Sequence, residues 1–147
     1  MKAEDLEKVE QDITAALLEA ASYRMNQETA TINIKDPSGE KIIFTFQVSG
    51  LNEDEWAKCR RQNLSNRGFR TEELNNARFL SQVIYEATIA EDKERLWKNK
   101  TVWKKLNVSS GVDLVNFLIP PGKKNSIVDV IAKLSGYEDD VEDLVGN

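Results

Sequence analysis

The sequence predicts a mainly helical α+β fold in which one β-hairpin, in the N-terminal half of the chain, packs against four or five helices. Three observations carry that expectation. Apolar residues recur at helical spacing over most of the 147 residues. Between Thr29 and Val48 the period shortens to two, the spacing of a strand with one buried face. That stretch is split by Asp36-Pro37-Ser38-Gly39, in which Pro presets φ and Gly accepts a positive φ, so the two halves pair as a hairpin over 29–48.

From Ala3 to Met25, the residues Leu6, Val9, Ile13, Leu17 and Ala20 stand three and four apart, and Leu18, Ala21 and Met25 widen the stripe. Glu4, Asp5 and Glu7 lie at the end where the helix dipole favours carboxylates. The stripe is expected to cover the core, with a groove-binding arm or an oligomer seam as the alternatives. In the hairpin, Ile42, Phe44, Phe46 and Val48 share one face, and two strands alone are marginal in water, so that face must lie on the helices.

The next helix starts with a capping box, Asn52 with Glu55, and Leu51 and Trp56 occupy the positions of a hydrophobic staple. Trp56 and Cys59 define its inner face, while Lys58, Arg60 and Arg61 make the other face basic. Trp56 and Phe46 are expected to be largely buried. Asn63–Gly68 reads as a polar loop.

Thr71 is expected to cap a further helix with Glu72 and Glu73 in its first turn. Its stripe of Leu74, Ala77, Leu80, Val83, Ile84 and Ala87 is broad, as in the most buried helix of a fold. Glu91–Lys105 reads as one or two short helices. Ser110 and Asp113 are cap and third residue of a short helix running to Leu118, which Pro120-Pro121-Gly122 ends. A last helix is expected over 123–135, with Ile127, Val130, Ile131 and Leu134 inward and Gly136 as its left-handed terminator. The remainder is acidic, yet Val141, Leu144 and Val145 keep helical spacing. With no repeat and no Ser/Gly linker, the chain is expected to form one domain over 1–147. It comprises a loosely attached N-terminal helix (1–26), an α+β core (27–136) and an acidic tail (137–147).

Composition removes whole classes of function. The chain has no His and one Cys, so Ser-His-Asp and Cys-His nucleophiles, His-ligated metals, internal disulfides and zinc clusters are excluded. Seven scattered glycines form no phosphate-binding loop. The adjacent carboxylates Glu53-Asp54-Glu55, Glu72-Glu73 and Glu91-Asp92 each fall in the first turn of an expected helix, where capping and the dipole account for them. Cys59 sits on the Trp56 face as a small buried hydrophobe. Neither a cofactor nor an enzymatic activity is expected. With no apolar run long enough to span a bilayer and no signal-peptide pattern at MKAEDLEKVE, a cytoplasmic location and no membrane partner are expected.

The net charge of −5 conceals three blocks. Residues 1–57 carry 5 bases and 12 acids, 58–124 carry 14 and 7, and 125–147 carry 1 and 6. Such blocks can attract one another or present opposite faces to a partner. Within the basic block, segment 58–70 has five bases and no acid, and segment 93–105 interleaves bases with Trp97 and Trp103, the combination that clamps phosphates and stacks bases. A nucleic-acid-binding accessory protein is therefore the alternative reading, against which stand the acidic composition and the lack of a nucleic-acid motif. Candidate partner-binding residues are Arg60, Arg61, Arg67, Lys98, Lys104, Lys105, Val141 and Leu144.

Three segments, in this order, resemble the XkdN-like tail assembly chaperones of tailed phages and defective prophages. They are KIIFTFQVSGLNEDEWAKCRR, ARFLSQVIYEATIAEDKERLW and FLIPPGKKNSIVDVIAKLSGYEDDVEDLV, and the resemblance spans about Ile32 to Val145. It implies a non-enzymatic protein that binds the tape measure protein of a phage tail. Such a protein keeps its partner soluble while the tail tube assembles, and is absent from the mature particle. The tail-tube protein and a second copy of the chain are further candidate partners.

Overall fold

The computed structural model of the chain describes residues 2–25, 28–65 and 73–137. Helix α1 (Ala3–Met25) precedes the hairpin of β1 (Thr29–Lys35) and β2 (Ile42–Ser49). Then come α2 (Glu53–Gln62), the short strands β3 (Leu64–Ser65) and β4 (Glu73–Leu74), and α3 (Asn76–Ala87). The one-turn α4 (Ala90–Asp92) runs into a π-helical turn, Lys93–Trp97, followed by α5 (Lys100–Leu106), α6 (Gly111–Leu118) and α7 (Pro121–Leu134). The fold is mainly helical α+β, as the sequence predicts.

The hairpin is antiparallel, with Ile32 opposite Phe46 and Ile34 opposite Phe44. Gly39 takes φ +78° and donates its N–H to the Asp36 carbonyl at 2.9 Å, closing the turn. The Ser38 hydroxyl donates to the Asp36 carboxylate at 2.8 Å; this bond, helped by the Lys41 N–H, holds the carboxyl below its ordinary range. Ile32, Ile34, Phe46 and Val48 are buried, but Phe44 is half-buried and Ile42 is exposed. Burial of this face is deepest towards the Ser49 end of the hairpin.

Helix α3 is the central element and packs against α2, α6 and α7. Leu80, Val83, Ile84 and Ala87 are buried along it. Arg78 ties it to α6 through Asp113 at 2.6 Å, and this guanidinium keeps the Asp113 carboxyl below its usual range. The buried Trp97 ring meets Phe46 edge-on at 5.2 Å and Phe44 at 6.0 Å, so the π-helical turn fastens the hairpin to the helices.

Local signals are realised closely. Asn52 and Glu55 form the capping box, Ser110 accepts from the Asp113 N–H at 3.1 Å, and Gly136 takes φ +85°. Four expectations need correction. The stripe of α1 does not cover the core, because Leu6, Val9, Ile13, Leu17 and Leu18 are all exposed. Trp56 is half-buried, since α2 turns it to the rim between α3 and the end of α7, whereas Phe46 is buried as expected. Helix α3 begins only at Asn76, capped by Asn75. Leu74 pairs with Leu64 and Glu73 with Ser65, and that backbone pairing replaces a helical start and part of the polar loop. The expected cap Thr71 and its neighbour Glu72 lie outside the described residues. Finally, Pro121 opens α7 rather than ending α6, its fixed φ suiting the first helical position.

Candidate partner-binding groove

The capping box fixes where α2 starts, and the helical repeat then sets Trp56, Ala57 and Arg60 on one side of it. At the far wall, α7 ends in a Schellman turn. The Gly136 N–H donates to the Lys133 carbonyl and the Tyr137 N–H to the Ala132 carbonyl, each at 3.0 Å. This reversal brings the Tyr137 ring edge-on to Trp56, with centroids 5.7 Å apart and planes at 89°. Phe79 of α3 closes the third side, 6.4 Å from Trp56. Trp56 is anchored by its Nε1–H, which donates to Ser135 Oγ at 3.3 Å; the same oxygen accepts the Leu51 N–H at 2.9 Å.

The result is an apolar groove of about 390 Å³ lined by Trp56, Ala57, Phe79, Val128, Ala132 and Tyr137, with Arg60 as the one charged residue among the described residues that line it. Aromatic rings with an arginine beside them are the composition enriched at protein–protein contact sites. The groove is suited to receiving apolar side chains from a helix, with Arg60 at hand for a carboxylate or a carbonyl.

Among the described residues, the thiol and several of the carboxylates weighed for bond chemistry have structural places. Cys59 is buried, and burial together with Glu86 and Glu55 pushes its thiol up to about 11, so at neutral pH it is no nucleophile. Glu53, Asp54 and Glu55 occupy the first turn of α2. Asp92 accepts the Gln47 N–H at 2.8 Å and pairs with Arg95 at 3.1 Å. Among the described residues no cluster of His, Cys, Asp or Glu is placed to hold a metal ion. No helix among them is long and apolar enough to cross a membrane.

The sequence profile of the phage XkdN-like tail assembly chaperone proteins matches residues 15–147. The chain belongs to the XkdN-like phage tail assembly chaperone family. No curated protein and no solved structure matches it.

Of the residues singled out from sequence, Arg60 lines the groove of this chaperone-family protein. Arg61, Lys104 and Lys105 are exposed on α2 and α5, and Lys98 is engaged with Glu94 at 2.8 Å. Arg67, Val141 and Leu144 lie outside the described residues. The stacking role read for Trp97 is overturned: its ring is fully buried, out of reach of a base. Trp103 is half-buried, its Nε1–H donating to the Trp97 carbonyl at 2.7 Å. Sequence reasoning missed Phe79, Val128, Ala132 and Tyr137. Only Tyr137, next to the helix-ending Gly136, stood at a marked position.

Proposed function

We propose that the chain binds the tape measure protein of a phage or prophage tail in the host cytoplasm and keeps it soluble while tail-tube subunits assemble. It acts by non-covalent binding alone and does not remain in the finished particle. The family supports a role in tail assembly. The observation that carries the specific reading is the groove between α2, α3 and α7, an aromatic slot with Arg60 beside it, suited to gripping one face of an apolar helix. Arg61, Lys104 and Lys105 are exposed bases elsewhere on the surface, and such charge would speed encounter with an acidic partner segment. In this reading 27–136 is the binding body, with Tyr137 completing its groove, and 1–26 and the remainder of 137–147 are its appendages.

Co-expression tests it. The tape measure protein encoded with this chain should shift from the insoluble to the soluble fraction when the chain is present, and should co-purify with it. A tape measure protein equally soluble alone, with no complex, would contradict the reading.

A further inference from the structure

Two apolar surfaces lie apart from the groove, and they differ in charge. The first is α1. Its stripe faces solvent along the whole helix, with Leu17 66 % exposed and Ile13 55 %. By the helical repeat, Asp5 and Asp12 border the stripe on one side and Glu10 on the other. The helix holds six acids against Lys8 and Arg24. In a protein most of a helix's stability comes from packing its apolar face rather than from propensity, so a surface that covers the stripe adds much of its stability.

The second is a recess of about 500 Å³ at the turn end of the hairpin, lined by Ile34, Pro37, Ile43, Phe44, Leu118 and Pro120. Lys35 and Lys123 also line it. Its third charged residue, Asp36, is held in the turn by Ser38 and Lys41. Ile43 is 58 % exposed, and Ile42 and Phe117, chain neighbours of lining residues, are exposed too.

We propose that the occupant of this recess is α1 of a second copy of the chain, its apolar stripe on Ile43, Phe44 and Leu118 and its bordering carboxylates facing Lys35 and Lys123. Complementary charge selects this pairing. Packing α1 against α1 would set Asp5, Glu10 and Asp12 of both copies along one seam, where like charges destabilise. Because each copy carries both surfaces, reciprocal exchange of α1 closes a two-fold dimer. The inference does not depend on the chaperone reading. The family match begins at Ala15, so Leu6, Val9 and Ile13 lie outside what it covers.

Sedimentation velocity on the full chain tests it. The protein should be dimeric at micromolar concentration in about 50 mM salt and dissociate at least tenfold more readily in about 500 mM salt. The double variant Ile13→Asp/Leu17→Asp and the single variant Ile43→Asp change exposed residues. Each alone should be monomeric and still folded, with a cooperative unfolding transition that no longer depends on protein concentration. Mixed, they should form a heterodimer, because one supplies an intact recess and the other an intact α1. If Ile43→Asp fails to fold, Lys35→Glu/Lys123→Glu replaces it with the same expectation. A wild-type protein that stays monomeric at low salt would overturn the proposal, including the case in which α1 folds onto its own recess. So would variants that remain dimeric, or a mixture that stays monomeric.

Discussion

Trp97 donates its indole N–H to the Thr88 hydroxyl oxygen at 2.9 Å, and both side chains are buried. Thr88 in turn donates to the Ile84 carbonyl at 2.7 Å, so the end of α3, the π-helical turn and the hairpin aromatics form one connected unit. Thr88→Val keeps the shape but leaves the indole unpaired, which should cost about 1–3 kcal/mol. Trp97→Ala removes the ring and should cost about 3–5 kcal/mol. Urea unfolding at neutral pH measures both. A loss below about 0.5 kcal/mol for Thr88→Val would show that the buried donor finds water or another acceptor.

Trp56 carries less stability and more of the surface. Its half-buried ring should cost about 1–2.5 kcal/mol on Trp56→Ala, less than Trp97, because area left in solvent contributes nothing to burial. The ordering of the two tryptophans in parallel unfolding curves is the check. A larger loss at Trp56 would mean that the ring is a core element rather than a groove wall.

What the sequence revealed and what it concealed follow from the range of the forces involved. The Asn52–Glu55 box, the Ser110 cap and the Gly136 terminator are fixed by neighbours within a few residues, and each was legible. Depth of burial was not. Helical periodicity names the inner face of α2 but cannot show that Trp56 stops at the rim while Trp97 goes to the centre. The start of α3 was misplaced because the Leu64–Leu74 pairing joins residues that local propensity treats separately. The groove was illegible for the same reason: Trp56, Phe79, Val128 and Tyr137 meet only when three helices pack.

Two glycines should respond oppositely to alanine. A Cβ at Gly50 would lie 2.6 Å from the Leu134 carbonyl oxygen, a backbone atom that cannot turn aside. Gly50→Ala should therefore cost about 1–3 kcal/mol by forcing β2 and α7 apart. At Gly122, in the first turn of α7, nothing lies near the added methyl group, and Gly122→Ala should stabilise by up to about 1 kcal/mol. A melting temperature that rises for Gly50→Ala would contradict the packing described there, and one that falls for Gly122→Ala would contradict the open space at that position.

Alkaline stability should reflect two buried groups of opposite sign. Cys59, raised from 9.0 to about 11, keeps its proton when folded while the unfolded thiol has lost it. Its contribution is complete below pH 9 and is lost as pH rises towards about 11. Lys124 is buried with its ammonium donating to Asn116, and burial lowers its pKa below 10.5. Its contribution is present above pH 10.5 and lost as pH falls through the folded pKa. Above pH 9, Cys59→Ala should lose stability less steeply than the wild type, and Lys124→Met more steeply. Urea midpoints taken at successive pH values decide this, and equal slopes in all three proteins would refute it.

The central claim is that the groove beside Arg60 grips the tape measure protein. Ala57 lines that groove yet is exposed on α2, so Ala57→Glu places a charge in the slot without disturbing the core. The deciding measurement is the dissociation constant of full-length protein and variant for the purified tape measure protein encoded beside it, by titration calorimetry at moderate salt. The account predicts a weakening of at least tenfold, about 1.4 kcal/mol, with the melting temperature of the free variant unchanged. Equal affinity of the two proteins would contradict it and move the binding surface elsewhere on the molecule.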